Sequence, residues 1–404
     1  MKKTLFCDVC GNSDLIEVLN LGEMPLCDDL IPIGSKKESK KYPAKILFCE
    51  KCTTAHHEWV VDRNILFPKD YHYRANVTES VKNSHKDLFL QVKEFLKIKN
   101  TMKVMDIGCN DGTLLSFFKE KGCQTIGIEP TNSFEEAKKN SDIVINEFFD
   151  SKLALKLKNQ ALLPDIITFT NVFAHIDDVE DLCKAINIIS KENTLVVIEN
   201  HYLGGISKTS SFDTFYHEHP KTYSINSFKY ISKKLKKSIL KVDFTKRDGS
   251  NIRIFIGETK KYKKYFKNDT NETYIKDNLL GIQRNVDNWV TRCKKLIIEL
   301  KEKNNNKSIA CKAFPGRATI LINLLGSSKN DLSAAYEIKG SLKTGNYIPG
   351  SRIPILEEKD LYSSNYEGPI LNLAWHLPKE VRENLRKNNF FNHVYDINST
   401  KMMT

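Results

Sequence analysis

The chain has 404 residues, of which 40% are apolar and 28% charged, with a formal net charge of +12; this suits two or three domains with ordinary cores. No apolar run nears the roughly 20 residues of a membrane span, and Met1-Lys-Lys-Thr-Leu-Phe-Cys lacks the apolar stretch of a secretory leader, so a cytoplasmic protein without a membrane partner is expected. The basic residues are scattered, with clusters at Lys233-Lys234, Lys236-Lys237 and Lys260 to Lys267, which reads as a solvated surface or as attraction for small anions rather than as a nucleic-acid face.

Ten cysteines without an export signal argue against a disulfide framework. Four of them form two knuckles, Cys7-Asp-Val-Cys10 and Cys49-Glu-Lys-Cys52. Each knuckle has the spacing that brings two thiolates onto one tetrahedral zinc, and a site closed by four thiolates has no open position for catalysis. His56-His57, just beyond Cys52, offers alternative ligands, and two free or redox-active pairs are the competing account. A connector from Trp59 to Tyr73 leads to a helical stretch, Val77 to Leu96.

Val104-Met-Asp-Ile-Gly-Cys-Asn-Asp-Gly-Thr-Leu-Leu then reads as a buried strand, a glycine turn and the opening of a helix. Asp106 falls near the strand end, and Gly108 and Gly112 flank the turn, where they let a ligand approach the backbone. The next strand, Gln124 to Ile128, ends on Glu129, a carboxylate able to accept from two vicinal ribose hydroxyls. The spacing is not G-x-G-x-x-G, which disfavours a dinucleotide. A helix at Ser133 to Asn140, a strand at Ile143-Val-Ile, and strands at Asp165 to Thr170 and Thr194 to Asn200 follow. Such alternation predicts a parallel sheet covered on both faces, with ligands at the C-terminal strand ends. Ser211 to Ser224 is dense in polar aromatics and imidazoles and makes poor core. After a helix from Ser227 to Lys236 comes a strand pair, of which the stretch beginning Arg247-Asp-Gly-Ser-Asn is expected as the last edge. Leu279, Ile282, Val286, Trp289, Val290, Cys293, Leu296 and Leu300 recur at helical spacing as core. From Ser308 the strand, turn and helix pattern repeats, so a further α/β domain is expected, with a strand at Pro369 to Trp375.

The turn and its following acid resemble motifs I and II of class I S-adenosylmethionine (SAM) methyltransferases. Taken with the two knuckles, Leu21-Gly-Glu-Met-Pro-Leu, Asn171-Val-Phe-Ala-His175, Tyr216-His-Glu-His219 and Tyr347-Ile-Pro-Gly-Ser-Arg352, nearly the whole chain resembles the nucleotide-sugar C-methyltransferases. The resemblance implies an α/β protein: a class I SAM-methyltransferase Rossmann-like core at 76–265, an N-terminal zinc-binding domain at 1–75 and a C-terminal Rossmann-like α/β domain at 266–404. It implies SAM held by Asp106, Gly108, Asn110, Gly112, Thr113, Glu129, Pro130, Phe149 and Asn171, and a structural zinc on Cys7, Cys10, Cys49 and Cys52. It also implies methylation of a carbon beside the ketone of a nucleoside-diphosphate-linked keto-deoxysugar.

In that chemistry His219 is the general base, Glu218 orients the site, and Tyr216 and His175 donate to the enolate oxygen. Tyr71 or Tyr73 closes the pocket. Tyr73, Asn200, Asn251, Arg317, Tyr347 and Arg352 are the candidate substrate contacts. His217 is expected to be structural, and His85, His201 and His376 to be surface or satisfied core. The chain departs from the family pattern at Cys27-Asp28, at Pro220 and at Pro315-Gly-Arg317, which bears on the identity of sugar and nucleotide. The partner expected is the nucleotide sugar and not nucleic acid, with a monomer or weak oligomer. The rival readings are a sugar O-methyltransferase using the same base, a zinc-bearing nucleic-acid methyltransferase, and a binding module with an inactive SAM fold.

Overall fold

The computed structural model describes residues 1–77, 79–245, 251–267 and 270–397. The chain divides into two compact units. The first comprises residues 1–17, 47–206 and 219–277, and the second 18–46, 207–218 and 278–404.

The first unit is built on a seven-stranded sheet. In spatial order its strands are Ser238–Thr245, Asn251–Gly257, Leu195–His201, Ile166–Thr170, Lys103–Ile107, Gln124–Ile128 and Ile143–Ile145. The five strands from Leu195–His201 to Ile143–Ile145 run parallel, and the other two form an antiparallel pair at one side. Alternation along the strands sends Met105, Ile107, Ile167, Phe169, Val196 and Ile198 to one packed layer. It sends Val104, Ile166, Leu195 and Val197 to the other. Both faces are therefore covered, as long buried parallel strands require. Chain order reverses between Lys103–Ile107 and Ile166–Thr170, and the crevice at such a reversal is where open α/β sheets bind ligands.

The expected last edge is displaced. Asn251–Gly257 lies between Leu195–His201 and Ser238–Thr245, so the edge strand is Ser238–Thr245. The burial pattern agrees, for Asn251–Gly257 is buried at every position while Ser238–Thr245 is mixed. Arg247 to Ser250 lie outside the described residues.

Two short antiparallel pairs complete this unit: Lys2–Lys3 with Trp59–Val60, and Thr54–His57 with Lys221–Thr222. The second unit carries a five-stranded parallel sheet in the order Ile355–Glu357, Leu332–Glu337, Ile309–Lys312, Ile370–Asn372 and Val394–Asp396. The helices Ile282–Lys303 and Ala318–Leu325 belong to it, and Ile31–Pro32 pairs with Asn346–Tyr347. The helical spacing from Leu279 to Leu300 falls on two helices, Tyr274–Leu280 and Ile282–Lys303, separated at Gly281. No helix among the described residues is long and apolar enough to cross a membrane.

One charged pair lies wholly inside the first unit. Arg253 Nε donates to Glu199 Oε2 at 2.9 Å, both side chains have 0% exposure, and Arg253 Nη1 also reaches Asp87 at 2.7 Å. Ser84 Oγ donates to the other oxygen of Glu199. Removing one member of a buried pair strands the other charge, so Arg253→Met is expected to lower unfolding free energy by about 3–5 kcal/mol in denaturant titrations.

Candidate active site and metal centre

The cofactor turn begins where the Lys103–Ile107 strand ends. Gly108 has φ +68°, and a Cβ there would stand 2.5 Å from Val172 Cγ2. Gly112 has φ +77°, and a Cβ would stand 2.9 Å from Asn140 Cβ, so both positions need glycine. Asn110 also takes a positive φ, +51°, and three contacts hold it there. Its N–H donates to Glu129 Oε2 at 2.9 Å, its Oδ1 accepts from Ala75 N–H, and its amide donates to the Tyr73 carbonyl at 3.0 Å. Glu129 is 5% exposed, and its other oxygen accepts from the Thr131 N–H at 2.9 Å and hydroxyl at 2.6 Å. A carboxylate offers about four acceptor sites, so Glu129 retains capacity for a ligand hydroxyl.

Asp106 is buried and accepts from Thr168 Oγ1 at 2.6 Å. Burial pushes its carboxyl up to about 7, against the pull of the Thr168 bond and with help from nearby Glu129. Thr113 turns inward, its N–H and hydroxyl both donating to Asp111. Pro130 is half-buried beside Glu129. Phe149 is 7% exposed and packs in the layer that holds Ile107 and Ile128. Asn171 sits at φ +55° after the Ile166–Thr170 strand, and its Oδ1 accepts from Asn251 Nδ2 at 3.0 Å.

The connector is strapped onto this turn by residues that the sequence reading passed over. Arg74 donates to the carbonyls of Tyr71 and Tyr73, to Asn132 Oδ1, and through Nε to Glu136 at 2.7 Å. Asp111 accepts from Asn76 N–H at 2.7 Å. An acid in the turn and an arginine among the connector's aromatics were the available signals.

From the connector a line of rings runs to the histidines. Tyr71 meets Phe67 edge-on at 5.5 Å, and Phe67 meets His175 at 5.0 Å. His175 stacks on His219 at 5.1 Å with 25° between planes, and His201 lies 4.9 Å from His219. Tyr71 thus joins this line through Phe67, while Tyr73 is 40% exposed. His201, expected as surface or satisfied core, is buried and packs against His219. The overlooked signal was its place at the C-terminal end of the Leu195–His201 strand. Asn200 is fully buried, and its Oδ1 accepts from Ala174 N–H at 3.2 Å, which fixes the amide's orientation. Its Nδ2 finds no acceptor among the described residues.

Cys7, Cys10, Cys49 and Cys52 bring their sulfurs within 4.8 Å of one another. Among the described residues no other His, Cys, Asp or Glu group does so, and His56 and His57 are outside it. Hydrogen bonding to Cys49 holds the Cys7 and Cys52 thiols above the ordinary range. Four sulfurs this close fit a tetrahedral zinc, whose charge would compensate their ionisation.

Tyr216 and Glu218 belong to the second unit. Burial pushes the Tyr216 hydroxyl well above its usual range, with Glu218, Cys27 and Asp28 adding to the effect. Arg317 is committed to an internal pair: Nε and Nη2 grip Asp213 at 2.8 Å each, Nη2 also reaches Thr214, and Trp375 Nε1 donates to the same Asp213. Arg352 donates to the carbonyls of Ser35, Lys36 and Lys37 and lies over the Tyr347 ring, whose hydroxyl accepts from Gly34 N–H. These three predicted contacts therefore brace the second unit from within. Lys312, not singled out from sequence, is 2% exposed and pairs with Glu358 at 2.7 Å.

A zinc binding domain family matches residues 7–67, a methyltransferase domain family 79–237, and a C-methyltransferase C-terminal domain family 258–391. C-methyltransferase NovU of Streptomyces niveus is 22% identical over 389 residues, covering 94% of this chain and 91% of that protein. Among solved structures, magnesium protoporphyrin IX methyltransferase from Synechocystis is 11% identical over 44% of this chain and 82% of its own, with a TM-score of 0.34. A SAM-dependent methyltransferase from Anabaena variabilis is 16% identical over 44% of this chain and 85% of its own, with a TM-score of 0.36.

The matched domains and the glycine-turn site define a SAM-dependent methyltransferase of class I fold. The three matches fall in chain order as a zinc-binding segment, a methyltransferase domain and a C-methyltransferase C-terminal domain, and the chain is similar to C-methyltransferase NovU over nearly its whole length. Metal analysis of the purified protein is expected to find about one zinc per chain, and strong chelation to lower its thermal midpoint. A metal-free protein of equal stability would contradict the four-thiolate site.

Proposed function

We propose that the enzyme methylates a carbon next to the ketone of a nucleoside-diphosphate-linked keto-deoxysugar, with His219 as general base. What carries the reading is the ring stack of His175, His219 and His201, which the line through Phe67 and Tyr71 joins to the connector over the SAM turn. A carbon beside a carbonyl becomes nucleophilic only after losing a proton. His219 takes that proton, the C–H electron pair moves to the carbonyl, and the enolate oxygen needs donors. The Tyr216 hydroxyl and His175 are the donors proposed, with Glu218 orienting them, Tyr71 closing the pocket, and Asn200 and Asn251 contacting the sugar. The unpartnered Nδ2 of Asn200 supports its place there. SAM supplies the methyl group. His219 later returns its proton to solvent.

Asp106, Gly108, Asn110, Gly112, Thr113, Glu129, Pro130, Phe149 and Asn171 are proposed to hold SAM, with Glu129 on the ribose and Asp106 facing the cationic end. In the second unit the diphosphate would meet the turn before Ala318–Leu325. Arg317, Tyr347 and Arg352 shape that surface through Asp213 and the 34–37 loop. Tyr73, at the connector's exposed side, is a further substrate contact in this reading. The free thiols and a nucleotide-sugar substrate suit a reducing cytoplasm.

His219→Ala is expected to keep SAM binding while losing both methyl transfer and the SAM-independent uptake of solvent deuterium at the substrate carbon. A panel of nucleoside-diphosphate keto-sugars followed by mass spectrometry measures both. Turnover without deuterium uptake would point to O-methylation instead.

Asp106 gives a second test. Its folded carboxyl is raised above the ordinary 3.8, so the apo protein holds an extra proton between that value and about 7, and its share of stability declines as pH rises through this window. SAM, facing it with a cation, binds the ionised form. Affinity should therefore tighten about tenfold from pH 6 to pH 8, and calorimetry on Asp106→Asn should lose that dependence.

A further inference from the structure

Lys221 lies two residues beyond His219 and is 4% exposed. Its ammonium stands 3.0 Å from Asp8 Oδ2 and donates to the carbonyls of Asp177 at 2.9 Å and Ile176 at 3.3 Å. An ammonium has three protons, and here three acceptors meet them. Asp8 is inside the first cysteine knuckle, between Cys7 and Cys10. Ile176 and Asp177 directly follow His175. One buried cation thus fastens a zinc knuckle to the segments that carry both histidines.

The second knuckle reaches the same place by the backbone. Cys52 leads into the Thr54–His57 strand, which pairs with Lys221–Thr222 in the register Lys221↔His56 and Thr222↔Ala55. The His57 N–H donates to the Pro220 carbonyl at 2.9 Å. Thr54 Oγ1 lies 3.0 Å from Cys52 Sγ and donates to Ser227 Oγ at 2.8 Å. The zinc knuckles are therefore more than a staple for the N-terminal segment.

We propose that Lys221 is a positioning residue through which the zinc site sets the placement of His175 and His219. The claim rests on the reading of His219 as base only for its effect on rate. A buried ammonium needs its counterion, so Asp8 and Lys221 move together, and the knuckle dictates where Asp8 stands. A misplacement of about 1 Å at a catalytic group can cost on the order of 100-fold in rate.

The test uses full-length protein carrying 13Cε1-labelled histidine, with the His175 and His219 signals assigned from His175→Gln and His219→Gln. Lys221→Met and the near-isosteric Asp8→Asn are compared with wild type. Both are expected to retain about one zinc, to keep SAM affinity within about threefold, and to move the His175 and His219 signals. On the keto-sugar that wild type turns over, kcat should fall about 10- to 100-fold with KM changed less than about threefold. Zinc removal from wild type should move the same two signals. If Lys221→Met fails to fold, Asp8→Asn decides. A folded, zinc-loaded Asp8→Asn with wild-type histidine signals and kcat overturns the proposal. Moved signals in an enzyme that methylates no keto-sugar would uphold the coupling and remove the reading of His219 as base.

Discussion

The Glu129 carboxylate holds the glycine turn of the first unit together. It accepts from Asn110 on one oxygen and from Thr131 on the other, so it pins a turn whose backbone twice enters the left-handed region at glycine and once at asparagine. With Asn110 fixed, its side chain captures the Ala75 N–H and the Tyr73 carbonyl, and the connector closes over the turn. The second unit uses the same device. Glu337, at the end of the Leu332–Glu337 strand, accepts from the Phe314 N–H in the turn after Ile309–Lys312. In both sheets an acid at the end of the second strand satisfies an amide that the first turn leaves open.

The histidine group is assembled from three places in the chain. His175 comes from the turn after Ile166–Thr170, His201 from the last position of Leu195–His201, and His219 from the segment before Lys221–Thr222. His175 and His201 lie where strands of the seven-stranded sheet hand over to loops, at the end where chain reversal opens a crevice, and His219 reaches them from the loop before Lys221–Thr222. The ring contacts bring His175 and His201 each to about 5 Å from His219. Among the described residues, the group placed to hold a metal ion is the four thiolates.

The charged groups divide by what surrounds them. Arg317 and Arg253 are each tied to a buried carboxylate, and such pairs hold local geometry more than they add stability. A guanidinium already gripped on two nitrogens has less to offer a phosphate, which is why Arg317 reads differently in three dimensions than in the string Phe-Pro-Gly-Arg. Lys312, buried at a strand end and paired with Glu358, had no motif to announce it.

Local order was legible without coordinates. The strand, turn and helix at Val104 to Phe118, the acid that follows it and the paired cysteines depend on short-range spacing, glycine geometry and ligand chemistry, and these are written in consecutive residues. The sheet order at Asn251–Gly257, the packing of His201 on His219 and the internal engagement of Arg317 were not. Each depends on which distant segment lies opposite, a matter settled by packing and by the pairing of buried charges across dozens to hundreds of residues. The sequence by itself determined the kind of enzyme and the glycine turn; only the tertiary structure decided which side chains stand against one another, because contact between remote segments has no local signature.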